Sequence, residues 1–228
     1  MNVFAHIFSV ALLLWSALSF SGFASNLPVR SLQAPLPQEI LNFYRTVSNS
    51  CVSAEYSYTY RTDDAKITGE GRAHVQGSSF RLTMNGLEVI SDGKSMWAVD
   101  SEAQEVMVDR VDDATSNLMA NPILFVSGME SLFDVSLSNG YAYIESNDFT
   151  LPTYKVVMLP KEEGDVLFMD VHYARDFSVI LAAVIYLKDG TVTEITIPSM
   201  TFTSGKSADY FTLDMSGISS DFIVTDLR

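Results

Sequence analysis

Polar and apolar residues alternate through much of this chain, and a period of two is typical of β-strands with one buried face. From Val52 to Arg61 the apolar or aromatic residues take the even positions and the polar residues take the odd positions. Similar alternation follows the turn sequences Asn85-Gly86 and Asp92-Gly93, which favour tight hairpins. The pattern predicts a meander of about six short antiparallel strands between residues 52 and 108, in which sequential neighbours pair.

Two segments have helical spacing instead of alternation. Ile40 and Tyr44 lie on one face of a helix that is predicted over about residues 37–47. A second, strongly apolar segment lies between residues 112 and 128, and Pro122 splits or kinks it because proline removes a helical hydrogen bond. Strands are predicted again from residue 133 onwards. The sequence therefore indicates one mainly β domain with two helical pieces.

The first 24 residues contain no Asp, Glu, Lys or Arg and include the apolar run 10–15. Small residues at Gly22 and Ala24 complete the pattern of a secretory signal peptide that is cleaved before Ser25. An uncleaved membrane anchor is the alternative, because the apolar stretch approaches bilayer-spanning length and no Lys or Arg precedes it. We expect a flexible leader over residues 25–35 and a single β domain over residues 36–228.

Charge and cysteine content narrow the function classes. A net charge of −14 argues against nucleic acid and anionic membrane surfaces as partners, since both select for Lys and Arg. The single cysteine, Cys51, excludes an intramolecular disulfide and is expected to be a buried thiol. No serine-hydrolase elbow, phosphate-binding glycine loop or metal-ligand spacing is present in the sequence. We therefore expect a protein that is not an enzyme and that uses no cofactor or metal.

Large apolar side chains recur at alternating positions of three successive predicted elements. Such a stripe is most often a sheet face packed on a core. The broken apolar helix changes this interpretation, because a curved sheet under short helices that move apart encloses a lined cavity. The residues predicted to line the cavity are Val52, Ala54, Tyr56, Tyr58, Phe80, Leu82, Met84, Ile90, Trp97 and Val99. The lid is predicted to contain Leu118, Met119, Leu124 and Phe125.

Several short motifs occur in a fixed order along nearly the whole chain after the signal. They are Gly69-Glu70-Gly71, Phe80–Met84, Val89–Trp97, Glu105-Val106, Asn121–Phe125, Lys188–Thr191, Phe211–Asp214 and Thr225–Arg228. This ordered set resembles the outer-membrane lipoprotein carrier family, LolA and its LolA-like relatives. The resemblance implies a single unclosed antiparallel β-barrel of about eleven strands, with short helices forming a lid over an apolar cavity for lipid.

The same resemblance implies a function and partners. A protein of this family is a periplasmic carrier that shelters lipoprotein acyl chains and moves them from the inner to the outer membrane. The implied partners are acylated lipoproteins, an inner-membrane lipoprotein-releasing ABC transporter, and the outer membrane or its receptor. The carrier itself would be a monomer. Ser25 at the cleavage site, in place of a lipid-bearing cysteine, favours a freely diffusing carrier over a tethered receptor.

One departure from the family pattern concerns the lid. Many members have an Arg-Pro pair before the Phe-x-x-x-Met strand, and that arginine bonds to the lid. The corresponding stretch here is Gln76–Ser79, and Gln76 cannot make a charge-assisted bond, which is about twice as strong as a neutral one. Two other functions stay open at this point: a lipid- or protein-sensing or assembly module on the same scaffold, and a lipid hydrolase.

Overall fold

The computed structural model describes residues 37–111, 132–138, 140–145 and 150–228. Within these residues, one α-helix, α1 (Gln38–Ser48), precedes thirteen strands. The strands are β1 (Cys51–Arg61), β2 (Lys66–Gln76), β3 (Ser79–Met84), β4 (Leu87–Ser91), β5 (Ser95–Asp100), β6 (Glu105–Arg110), β7 (Phe133–Leu137), β8 (Ala142–Glu145), β9 (Thr150–Pro160), β10 (Val166–Tyr173), β11 (Ile180–Leu187), β12 (Val192–Thr203) and β13 (Ile223–Asp226). Two 3-10 turns, Ala208–Phe211 and Met215–Gly217, separate β12 from β13.

The strands form one large sheet in the order β13-β6-β5-β4-β3-β2-β1-β12-β11-β10-β9-β7, with β8 also paired to β9. Every pairing is antiparallel except that of β13 with β6. The two end strands, β13 and β7, do not pair with each other, so the sheet described here is open. The mainly β, unclosed and largely antiparallel architecture predicted from the sequence is confirmed.

The sheet consists of two meanders joined in its middle. Strands β1 to β6 pair in sequential order, as the alternation and the turn sequences predict. Strands β9 to β12 form the second meander. The joint is the long antiparallel pairing of β1 with β12, which runs from Cys51 opposite Thr203 to Arg61 opposite Val192.

We call the face of the sheet that packs against α1 the inner face, and its opposite the outer face. The predicted helix is confirmed as α1, and it buries Ile40, Phe43 and Val47 against the inner face. The Phe43 ring lies edge-on to Tyr173, with 5.4 Å between the ring centroids. Burial of three large side chains offsets the cost of ordering a helix of only three turns. The thiol of Cys51 is fully buried, as expected.

The predicted lid residues Leu118, Met119, Leu124 and Phe125 lie outside the described residues. No helix in the part of the chain that the structure describes is long and apolar enough to span a membrane.

Candidate apolar site on the inner face

Seven of the ten predicted lining residues share the inner face of the sheet. They are Val52, Ala54, Tyr56, Tyr58, Phe80, Leu82 and Met84. The strand register explains their common orientation, because directly opposed residues of antiparallel strands point to the same face. Val75 on β2 is opposite both Val52 on β1 and Phe80 on β3. Four of the seven, Val52, Ala54, Phe80 and Leu82, belong to the buried core beneath α1.

The other three predicted lining residues, Ile90, Trp97 and Val99, lie on the outer face, which corrects the prediction of a single stripe. Arg81 is opposite Ile90, and Ile90 is opposite Trp97, so these side chains point away from Leu82. They form a separate buried cluster together with residues of β6. Three partly buried side chains, Leu213, Ile218 and Phe222, pack against this cluster. Residues 204–228, which contain these three, are called the C-terminal segment below.

The inner face changes character at a β-bulge in β12, where two β12 residues stand opposite Tyr56 of β1. The register with β12 shifts between Glu55 and Ser57. On the α1 side of the bulge the inner-face residues are buried, ending with Ala54 at 8% exposure. On the other side, Tyr56, Tyr58 and Tyr60 are only half-buried. Three tyrosines therefore form a half-buried part of the inner face.

Two glycines of β2 leave room for the side chains of the first two of these tyrosines. Gly71 is opposite Tyr56, and a Cβ atom built on it would lie 2.6 Å from the Tyr56 ring. Gly69 is opposite Tyr58 in the same way, and its Cβ would lie 2.6 Å from the Tyr58 hydroxyl oxygen. The rings lie across β2 because the glycines have no side chains there.

The far ends of both rings are hydrogen-bonded to β3 and to the turn that follows it. The Tyr56 hydroxyl donates to the Thr83 carbonyl oxygen at 3.3 Å. The Asn85 side-chain amide donates to the Tyr58 hydroxyl at 3.1 Å. Each of these two rings is therefore held at its hydroxyl end by one hydrogen bond, in addition to its attachment to β1.

These phenol groups stay uncharged over the physiological pH range. Desolvation by burial, with a smaller contribution from the neighbouring Tyr58, raises the pKa of Tyr56 to about 12. Desolvation also raises the pKa of Tyr58. A neutral aromatic surface with fixed hydroxyl groups is suited to apolar chains that carry a few polar atoms. Among the described residues, no group of His, Cys, Asp and Glu side chains is arranged to hold a metal ion.

The second meander supplies half of the inner face, and the sequence-based site prediction omitted it. Val156 and Met158 of β9, Met169 and Val171 of β10, and Ile185 of β11 are buried in the same core as Leu82. The alternation of apolar residues along these strands is the sequence signal that could have identified them.

Gln76, which stands where many members of the resembled family have an arginine, contacts the C-terminal segment. Its amide nitrogen donates to the Lys206 carbonyl oxygen at 3.2 Å, and the Lys206 backbone N–H donates to its amide oxygen at 2.7 Å. Both polar groups of the side chain are thus bound to the backbone of one residue. Gln76 thus makes hydrogen bonds, as predicted, and they connect β2 with this segment.

A serine and a histidine also meet, on the outer face. Ser53 Oγ is 3.3 Å from His74 Nε2, and the Tyr210 hydroxyl is 3.0 Å from His74 Nδ1. Desolvation, and then the positive charges of Lys206 and Arg81, lower the pKa of His74. This pair lies on the opposite side of the sheet from the three inner-face tyrosines.

No protein-family model matches this sequence, and no curated protein matches it either. Solved structures do match its fold. An uncharacterized conserved protein from Thermus thermophilus superposes with a TM-score of 0.50 at 12% identity, covering 83% of this chain and 98% of that one. A DUF1329 family protein from Desulfovibrio piger gives 0.43 at 13% identity, covering 80% and 97%.

A LolA superfamily protein from Nitrosomonas europaea gives a TM-score of 0.42 at 11% identity, and the match covers 78% of this chain and 97% of that one. LolA-superfamily structures are among the structural neighbours of this chain. The identities are all low, so the likeness concerns the fold alone.

Proposed function

We propose that this protein is a periplasmic carrier that shelters the acyl chains of lipoproteins on the inner face of its sheet. Binding and release, without chemical change of the cargo, are its proposed activity. The observation that carries the proposal is the inner face itself, which is largely apolar across both meanders and includes three half-buried tyrosines. Thr193 of β12, opposite Tyr60, is a buried polar exception. An acyl chain would reach the inner face at these tyrosines, which are more exposed than the core residues beneath α1.

Polar side chains are absent from most of this face in the described residues. From β1 to β3 and from β9 to β11, the inner-face positions of the buried core hold aliphatic, aromatic or methionine side chains. Charged groups on these strands, such as Glu55, Lys155 and Asp170, lie on the outer face. An acyl chain on the inner face would therefore contact surface that costs little to desolvate.

The size of the cargo limits how completely it is sheltered. Three acyl chains with about 45 methylenes would gain more than 30 kcal/mol on full burial, at ~0.8 kcal/mol per methylene. Non-covalent affinities reach a ceiling of about 20 kcal/mol. A carrier that buried everything would not release its cargo. We infer partial shelter, loading by an inner-membrane ABC transporter, and delivery to the outer membrane or a receptor there.

A matched pair of variants on β1 tests the binding surface. Tyr58 points to the inner face and its neighbour Thr59 points to the outer face, opposite Glu194. We expect Tyr58→Lys to weaken binding of a fluorescent triacylated lipopeptide at least tenfold, because a charge would stand on the apolar surface. Thr59→Lys should bind like the unmodified protein. Equal binding by both variants would exclude the inner face as the acyl site.

Depletion of the protein in its native bacterium tests the transport role. Loss of a carrier should leave outer-membrane lipoproteins in the inner membrane, and fractionation of the two membranes measures this directly. Normal sorting after depletion would contradict the carrier proposal and favour a sensing or assembly module on the same scaffold.

Mass spectrometry of the exported protein tests the proposed location, since cleavage of the signal gives a chain that begins at Ser25.

A further inference from the structure

The outermost strand at one end of the sheet, β13, is exposed along its whole length. Among the described strands, its neighbour is β6, with which it pairs in parallel. All four of its residues are exposed. At this edge Ile223 is 63% exposed, Val224 47% and Leu227 56%. Three large apolar side chains on a sheet edge form a surface that proteins usually protect.

The backbone of β13 points alternately toward and away from β6. The Ile223 N–H donates to the Gln104 carbonyl oxygen, and the Leu227 N–H donates to the Val108 carbonyl oxygen, both at 2.8 Å. In a parallel ladder the intervening alternate residue, Thr225, also bonds to β6. The N–H and C=O groups of Val224 and Asp226 therefore point away from β6, in the positions that an added strand would use.

The negative charge around this edge indicates which kind of partner would bind there. Glu105 and Asp109 lie on β6 beside β13, and Asp221 lies just before β13. Asp226, within β13, is already paired with Arg228 at 2.7 Å, so the first three carboxylates carry the unbalanced negative charge of this edge. The usual protections of a free edge, a Lys or Pro in the strand, are missing from its Ile-Val-Thr-Asp sequence. A second copy of this chain would bring another acidic edge and a net charge of −14. Like charge disfavours that pairing and favours a basic partner.

We propose that the edge of β13 binds an extended, basic segment of another protein as an additional β-strand. Main-chain hydrogen bonds to Val224 and Asp226 provide the attachment. The partner's Lys or Arg side chains lie on the face of Ile223 and Leu227, and their aliphatic stems contact these two residues. Their charged ends extend toward Glu105 and Asp109 on the same face, while the partner's apolar side chains lie on the opposite face of the sheet. This inference rests on the pairing of β13 and not on the inner-face acyl site, so each stands or fails separately.

Three labelled, end-capped peptides test the proposal with the full chain. We expect an alternating Lys-Val octapeptide to bind at least tenfold more tightly than a Glu-Val octapeptide, with an affinity that falls as salt is added. A Lys-Pro octapeptide has the same charge without the backbone N–H groups of its prolines, and it should bind at least tenfold more weakly than Lys-Val. Equal binding of Lys-Pro and Lys-Val would overturn the proposal, and so would failure of Lys-Val to bind.

A substitution in β13 tests whether the peptide binds at this edge. Val224→Pro removes an outward N–H and leaves the donors of Ile223 and Leu227 to β6 intact, so it should weaken Lys-Val binding at least tenfold. Val224→Ala keeps the N–H and should retain binding within about twofold, as the matched control. Hydrogen exchange in the unmodified chain gives a readout that does not depend on the variant folding. The amides of Val224 and Asp226 should become protected by Lys-Val, and unchanged exchange there would contradict the assignment.

Discussion

Gly69 and Gly71 determine how β1 presents its tyrosines. The rings of Tyr56 and Tyr58 occupy the space that side chains on β2 would fill. The sequence contained this Gly-x-Gly spacing, but as a single observation it indicates only a weakened strand. Its meaning depends on the register that brings each glycine opposite a tyrosine, and residue identities alone do not specify that register.

We expect Gly71→Ala to destabilise the protein by about 1–3 kcal/mol, because its Cβ would meet the Tyr56 ring and the Thr83 carbonyl oxygen. Urea unfolding measures the change. Gly164→Ala is the control, since a Cβ there meets nothing within 4 Å. A Gly71→Ala protein as stable as the control would show that Tyr56 is not held against β2.

His172 makes stability depend on pH. Its Nδ1 is 2.9 Å from the Thr153 hydroxyl, and it is buried near Asp170 and Lys155. Desolvation lowers the pKa of His172, although Asp170 partly opposes this and Lys155 adds to it. The unfolded chain therefore takes up a proton at higher pH than the folded protein does. The contribution of neutral His172 to stability is fully present above the pKa of histidine in the unfolded chain, about 6.5. It is lost as the pH falls below that value.

We expect the free energy of unfolding to decrease between pH 7 and pH 5, and His172→Gln to reduce that slope. Urea titrations at several pH values measure the slope separately from any uniform loss of stability. An unchanged slope in the variant would mean that other groups cause the pH dependence. His74→Gln is an informative comparison, because the pKa of His74 is lowered as well.

At the scale of the elements, alternation predicted the strands of the first meander but not which face of β4 and β5 carries the site. Both faces of these strands are apolar: Val89 and Met96 pack on the inner core, while Ile90 and Trp97 pack on the outer cluster. A two-sided apolar strand gives no sequence signal for orientation. The C-terminal segment covers the outer side of β4 and β5, which explains why the outer-face residues of these strands are also apolar.

The C-terminal segment should contribute substantially to stability through Phe211. This side chain is 2% exposed, and its ring lies edge-on to Tyr210. We expect Phe211→Ala to cost about 3 kcal/mol, by loss of burial and formation of a cavity. Met215→Ala, at a position that is 39% exposed in the same segment, should cost less than about 1 kcal/mol. Thermal unfolding of the two variants compares them, and similar losses would contradict the packing described.

At the scale of the whole molecule, the negative charge affects association. The net charge of −14 acts over a chain of 228 residues, and like charge opposes close approach of two copies. We expect the unliganded protein to be a monomer at neutral pH and low salt, by light scattering at micromolar concentration. A stable dimer under these conditions would show that an apolar surface, such as the β13 edge, overcomes the repulsion between copies.

The joint between the two meanders has a consequence for how the protein is made. Cys51 and Thr203 are 152 positions apart in the chain and neighbours in the middle of the sheet. A ribosome synthesises them at different times, so one edge of β1 stays unpaired until β12 has been made. Contacts between such distant residues form slowly, because a long loop must close first. The native sheet therefore forms late in folding, after the residues of β12 are available to pair with β1.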